Sequence, residues 1–342
     1  MIRILQIDGG GIKGIMPALV LQHLEEKVGK PLCDCFELIA GTSTGALIGG
    51  AIAAGVPAQQ IADLYIKEGR RLFTPRGWWN PKRFLVGKYD REPFQKEMEK
   101  ILGKGIKLSD LKTNFMATSF NLCSQRTHFI KSWCPRKREY ELIKVLSWSA
   151  LSAAHYFGKI EENEYKWYHY ESGSDCSDLS KESQKGAVFQ DGGQGIHNNT
   201  LGYLMVEILA NGWIKKGEKI YLLSLGTGAA DQRIRYEEAS KFMTIRQVSS
   251  FLSQARKESI LGQVIGANYI SKRNSEIITF KRIDREIRKK EDDLDKVEYI
   301  EKFMEYGQEL ANNCVSDEDV KILLKGRPSP EQMALLCFEE AD

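Results

Sequence analysis

Three short stretches of this chain combine residue types that do chemistry: DGGGIKG at 8–14, GTSTG at 41–45 and DGG at 191–193. GTSTG has the G-x-S-x-G pattern, in which flanking glycines let a sharp strand-to-helix turn hold the serine hydroxyl out from the sheet. Ser43 is therefore a candidate nucleophile. A serine hydroxyl needs a base to take its proton, and a carboxylate at hydrogen-bond distance can serve without an intervening imidazole. Asp191 is the candidate base, although the plainest use of an Asp-Gly pair is a turn. DGGGIKG offers consecutive backbone N–H groups at a helix start, where unsatisfied donors and the helix dipole favour negative charge. The anion is a phosphate or a transient oxyanion; this motif alone does not say which.

Histidine is the rival base. The chain has five: His23, His128, His155, His169 and His197. Of these, His155 and His197 are placed to partner a serine. A Ser-Asp-His hydrolase, however, usually carries its serine after several strands, whereas Ser43 follows only the second.

These motifs need elements to hold them. The apolar run 2–7 reads as a buried strand, and Ile15, Leu19, Leu21, Leu24 and Val28 recur at helical spacing until Gly29 and Pro31. Further strands are predicted at 36–40, 115–120, 127–133, 187–190 and 220–225, with helices at 46–54, 91–102, 140–154 and 200–211. Strands alternating with amphipathic helices predict a three-layer α/β fold around a central, mainly parallel sheet. A polar stretch at 161–185 reads as a long loop or insertion, and 231–342 as a helical C-terminal extension, periodic at 237–265 and 296–311. The expected division is 1–230, carrying the motifs at net charge +6, and 231–342, at net charge −3, packing on it.

Composition sets limits. With 342 residues, 42% apolar and 28% charged, the chain is globular, and its +3 charge lacks the basic excess of a nucleic-acid binder. The opening MIRILQIDGG has no secretory pattern, and the longest weakly polar run, 45–56, is short of the ~18 residues that cross a bilayer. A cytoplasmic location is expected. Seven cysteines without a C-x-x-C pair are expected to be free thiols in a reducing compartment, with no metal site.

In order and spacing, DGGGIKG, LIAGTSTGALIG, GKYDREPFQKEMEKILG, SALSAAHYF, FQDGGQGIHNNT and LSLGTG resemble the patatin-like phospholipases over residues 1–228. Lys13 stands where arginine is usual, and His155 where proline is usual. The resemblance implies a lipid acyl hydrolase with a Ser43/Asp191 dyad, an oxyanion hole of Gly9, Gly10 and Gly11 N–H groups, no cofactor and a membrane phospholipid substrate. The layout is also similar to bacterial antiviral phospholipase effectors. That implies a cyclic di- or trinucleotide activator, a homo-oligomer and peripheral membrane binding when active. Candidate phosphate-binding residues are the segment 70–91 and Arg246, Arg256 and Lys257 of the tail. Seven basic residues in 70–91, interleaved with Phe73, Trp78, Trp79 and Phe84, suit a membrane interface or a loop packed on the sheet. Two other readings remain at this point. Gly9, Gly11 and Gly14 also satisfy the dinucleotide-binding G-x-G-x-x-G, but Gly41 stands where its acidic ribose ligand belongs. The other is a non-catalytic binding module of the same fold. A P-loop is excluded, because glycine follows Lys13 where a Ser or Thr must meet magnesium.

Overall fold

The run Ile2–Ile7, apolar apart from Arg3 and Gln6, forms the central strand β1 of the computed structural model. The structure describes residues 1–73, 75–76, 79–80, 87–153, 161–163, 187–194, 197–231, 244–326 and 335. After β1 come α1 (Ile15–Val28), β2 (Leu38–Gly41), α2 (Thr44–Ala53), α3 (Ala58–Asp63) and the short α4 (Gly69–Leu72). Then follow α5 (Glu92–Leu102), β3 (Asn114–Asn121), β4 (Arg126–Lys131), α6 (Leu142–Leu146), β5 (Glu161–Asn163) and β6 (Ala187–Asp191). The remainder is α7 (Leu201–Ala210), β7 (Ile220–Leu225), β8 (Ala229–Ala230), α8 (Thr244–Arg273), β9 (Ile278–Ile283), β10 (Glu286–Ile287), α9 (Ile300–Cys314) and α10 (Asp317–Leu324). Nearly every strand and helix expected from residues 1–230 is present, most within two residues of its predicted ends.

The sheet runs β5-β6-β3-β2-β1-β7-β9, with β4 on the other side of β3. The strands β3, β2, β1, β7 and β9 are mutually parallel; β4 and β6 run antiparallel to β3, and β5 runs antiparallel to β6. Register brings Ile7 level with Gly41 and Leu225, and Leu225 level with Ile283, so four strands end together at one carboxyl edge. In open α/β sheets that edge is where ligands bind.

Both faces are covered. Leu5, Ile7, Ile39, Phe115 and Leu223 pack under α1, α2, α3, α5 and α9. Ile2, Ile4, Leu38, Met116, Ile220 and Leu222 pack under Leu201, Leu204, Met205 and Ile208 of α7 and Ala267 of α8. Alternation along β1 sends its side chains to opposite layers, as strand geometry requires.

The tail is helical, as expected, in α8, α9 and α10, but it is more than an appendage. Its β9 pairs with β7 in parallel along six residues, so the central sheet continues past residue 230. Sequence periodicity missed β9 because ITFKRI, with Lys281 and Arg282 in it, lies between long helical patterns. Among the described residues, no helix is long and apolar enough to cross a membrane.

Candidate active site

The turn between β2 and α2 is bent sharply at Ser43, which has φ 54° and ψ −123°, a backbone conformation that a non-glycine residue adopts only under constraint. The constraint is close packing. A Cβ on Gly41 would strike the Gly45 carbonyl, and one on Gly45 would strike the carbonyls of Ile7 and Asp8. Glycine at both positions lets α2 start directly against the end of β1 and turns the serine outward. Ser43 Oγ donates to Asp191 Oδ2 at 2.8 Å.

Asp191 closes β6, paired with Ser119 of β3. Its other oxygen, Oδ1, accepts the Gly193 N–H at 2.7 Å, which fixes the carboxylate plane. The two turns are tied together: Thr42 Oγ donates to the His197 carbonyl at 2.9 Å and therefore accepts from Thr118 Oγ at 2.7 Å.

The glycine turn after β1 meets this pair from the other side. Gly9 departs from the expected donor set, because its N–H is committed to the Asn198 carbonyl at 3.1 Å. Its own carbonyl accepts from Asn198 Nδ2 at 3.0 Å and Thr227 Oγ at 2.8 Å. The amides of Gly10 and Gly11 meet no acceptor among the described residues. Gly11, at φ 59°, has the Leu294 carbonyl pressed against it, and Ile12 N–H donates to that carbonyl at 2.8 Å.

Gly11, Ser43 and Asp191 line one cleft with Thr44, Leu47, Tyr65, Phe73, Phe94, Ala150, Leu151, Ala153 and Leu294. Tyr65 and Leu151 come from π-helical turns, Leu64–Glu68 and Ser147–Leu151, which widen the helices beside the cleft. Thr44 Oγ and Tyr65 OH are hydrogen-bonded, and burial holds the Tyr65 phenol well above its usual range. A nucleophile-base pair, unused backbone donors and an apolar wall are what acyl transfer from a greasy ester requires.

No described histidine bonds to Ser43. His197 Nδ1 has no hydrogen-bond partner, its ring packs edge-on to Phe129 at 5.3 Å, and burial lowers its pKa. His128 Nε2 lies 3.1 Å from Ser124 Oγ. His155, His169 and nearly all of the 161–185 stretch fall outside the described residues, as do Trp78, Lys82, Arg83, Phe84 and the side chains of Arg246 and Arg256.

The basic segment is largely engaged. Arg70 pairs with Glu301, Arg71 with Glu68 and Glu97, Arg76 with Asp90, and Lys88 with Asp295. Phe73 lines the cleft, whereas Trp79 is 92% exposed. Cys33, Cys35, Cys123 and Cys314 are free thiols; Cys134 is disulfide-bonded, against expectation.

Several contacts at the site were not read from the sequence, although Lys13 and Lys257 were themselves singled out there. Lys13 is buried and paired with Asp292 at 2.6 Å, and Lys257 reaches the same carboxylate at 2.9 Å. Burial pushes the Asp292 carboxyl up, but Lys13 and Lys257 outweigh that and hold it at about 2. Arg282 pairs with Asp8 at 2.5 Å. Asn198 and Thr227 lay in stretches already compared, HNNT and LSLGTG, but nothing in the tail marked Arg282, Asp292 or Leu294.

Comparison with known proteins gives a coherent picture. A family model described as patatin-like phospholipase matches residues 5–204. A cGAMP-activated phospholipase of Pseudomonas aeruginosa is 30% identical over 159 residues, covering 44% of this chain and 46% of that protein. Patatin-17 of Solanum cardiophyllum is 30% identical over 173 residues, covering 46% of this chain and 43% of that protein. A cUMP-AMP-activated phospholipase of Escherichia coli is 43% identical over 74 residues, covering 22% of this chain and 23% of that protein. The chain thus spans less than half the length of these relatives.

Proposed function

The chain belongs to the patatin-like phospholipase family, and from that premise we propose that it is a lipid acyl hydrolase cleaving carboxylic esters of membrane phospholipids. Ser43 is the nucleophile and Asp191 the general base. The observation that carries this reading is the 2.8 Å hydrogen bond from Ser43 Oγ to Asp191 Oδ2 at the mouth of an apolar cleft.

The reaction follows from the arrangement. Asp191 accepts the Ser43 proton as Oγ bonds to the ester carbonyl carbon. The carbonyl oxygen becomes an oxyanion, met by the N–H groups of Gly10 and Gly11. Preorganised donors of this kind are worth about 10²–10³ each in kcat. Collapse breaks the C–O bond to the alcohol or lysolipid, which takes the proton from Asp191 and leaves an acyl-Ser43 ester. Asp191 then takes a proton from water as the water oxygen attacks that ester; collapse breaks the acyl–Oγ bond, Ser43 Oγ takes the proton back from Asp191, and the fatty acid leaves. The acyl chain lies along Leu47, Phe73 and Leu294.

The motifs and the reacting groups sit in 1–230, with 231–342 as an extension packed on it that adds β9 to the sheet and Leu294 to the cleft wall. Two relatives named for activation by cyclic nucleotides support a further step, a switch worked by a cyclic di- or trinucleotide; with it we propose that the enzyme acts at the membrane surface as an antiviral effector and assembles as a homo-oligomer. Trp79, exposed beside basic residues, suits the lipid interface. The test is product analysis on mixed phospholipid vesicles with purified protein, with and without cyclic nucleotides. Fatty acid and lysolipid should appear with the wild-type chain and not with Ser43→Ala. Intact lipid in every arm, with no turnover of a short-chain p-nitrophenyl ester, would overturn the proposal.

A further inference from the structure

The glycine turn that carries the oxyanion donors is held at its front, middle and back by residues of the tail, beyond the segment matched by the family. At the front, Asp8 Oδ2 accepts from Arg282 Nη2 at 2.5 Å and Oδ1 from Arg282 Nη1 at 3.1 Å. In the middle, Ile12 N–H donates to the Leu294 carbonyl at 2.8 Å. At the back, Lys13 Nζ donates to Asp292 Oδ1 at 2.6 Å, while Asp292 Oδ2 accepts from Lys257 Nζ at 2.9 Å and Ala230 N–H at 3.1 Å. The two charged side chains of the motif are of opposite sign, both are buried, and each is answered from the tail.

We propose that Arg282 and Asp292 are positioning residues, which set the direction of the Gly10 and Gly11 N–H groups by clamping the two ends of the turn between them. This rests on the hydrolase reading above. The physical ground is that oxyanion donors act only if their direction is fixed before charge develops, and a glycine-rich turn has little stiffness of its own. Gln6 and Asn199 also reach Asp8, at 2.9 and 2.7 Å, but both are neutral and leave its charge to Arg282. Lys13, standing where the family usually has arginine, is a single point of attachment. It suits a carboxylate shared with Lys257 and takes one oxygen, Oδ1, leaving Oδ2 to the other lysine. The tail is then part of the catalytic machinery, and any event that shifts 282–294 changes the rate.

The experiment compares wild type, Asp292→Asn, Asp292→Glu and Arg282→Lys on a soluble short-chain ester. It also measures inhibition by a trifluoromethyl ketone, which forms a tetrahedral oxyanion adduct on the serine. Asp292→Asn and Arg282→Lys should lower kcat tenfold or more with KM within twofold, and should raise the inhibition constant by the same factor as kcat/KM falls. Asp292→Glu should recover part of both. Folded variants with wild-type kcat, or a kcat loss without a parallel change in inhibitor affinity, would overturn the proposal. If thermal melting shows Asp292→Asn to be unfolded, Lys257→Met decides, since that side chain is partly exposed. A threefold parallel loss supports the clamp, and no change overturns it. A wild-type chain with neither ester turnover nor fluorophosphonate labelling of Ser43 overturns the hydrolase reading and this inference with it. Full wild-type activity beside unaffected tail variants overturns this inference alone.

Discussion

Ser43 and Asp191 are 148 residues apart in sequence, yet their side chains meet at 2.8 Å because β2 and β6 both join β3. The Thr42–Thr118 hydrogen bond fastens the same junction from within. The pair is thus set by strand pairing, and a change in either side chain should leave the surrounding backbone as it is.

The first prediction follows from that. Ser43→Ala and Asp191→Asn should each lower kcat on a soluble ester about 10³-fold or more while thermal unfolding stays near wild type, because losing either member of a unit disables the whole. His197→Ala should keep activity within about tenfold. A folded His197→Ala protein as inactive as Ser43→Ala would replace the dyad with a triad.

Backbone contact at the elbow gives a second prediction. Gly45→Ala places a methyl group against the carbonyls of Ile7 and Asp8, which belong to the central strand and the turn after it and have no room to yield. We expect a loss of at least about 3 kcal/mol in denaturant unfolding together with loss of activity, the usual outcome of forcing bulk into a packed site. Unchanged stability would mean that α2 can slide away from β1.

Most of the sheet and the candidate pair Ser43 and Asp191, whose side chains meet, were legible in the sequence, for a local reason. Strand runs such as 2–7 and 220–225 are almost wholly apolar, and motif glycines mark the turns that follow them. What stayed hidden depends on contacts between distant segments. The Gly9 N–H was expected among the oxyanion donors, but its engagement by Asn198 is set by the loop after β6. β9 was hidden because Thr279, exposed, and Lys281, half-buried and paired with Asp319, break the apolar run, and Arg282 reads as a surface charge until Asp8 is seen beneath it. Asp292 sits in an acidic stretch, EDDLD, that looks like solvent-facing loop.

The third prediction concerns acid. Burial lowers the pKa of His197, and burial and Lys27 lower that of His23, so the folded state favours both rings neutral. Their contribution is complete above the unfolded value near 6.5 and is lost as pH falls through the lower folded values. Asp292, held at about 2 against an ordinary 3.8, contributes fully above about pH 4 and loses that contribution between 4 and 2, an effect of order 2 kcal/mol. Melting temperature against pH should therefore fall in two stages, with His197→Ala reducing the upper stage and Asp292→Asn the lower. An upper stage unaltered in His197→Ala would assign it to other groups.

The last prediction is about control. A lipid hydrolase active in its own cell is dangerous, and a switch must work by differential affinity: a nucleotide raises activity only as far as it prefers the active state. Among the described candidate residues, Arg70, Arg71, Arg76, Lys88 and Lys257 already hold carboxylates. A phosphate that took Lys88 would free its ion pair with Asp295, next to the segment that touches Gly11 and Ile12, whereas one that took Lys257 would loosen Asp292 and lower the rate, so activation is expected to act through Lys88. Activation should then be saturable in nucleotide and weakened by added salt, since exposed phosphate-lysine contacts are screened. It should also be blunted in Lys88→Met without loss of basal turnover. The measurement is ester hydrolysis by purified protein titrated with cyclic di- and trinucleotides, with calorimetry alongside. Low basal turnover that rises at least tenfold with one of them is the expected result. Full activity without any nucleotide, together with no heat of binding, would remove the switch and leave the hydrolase standing.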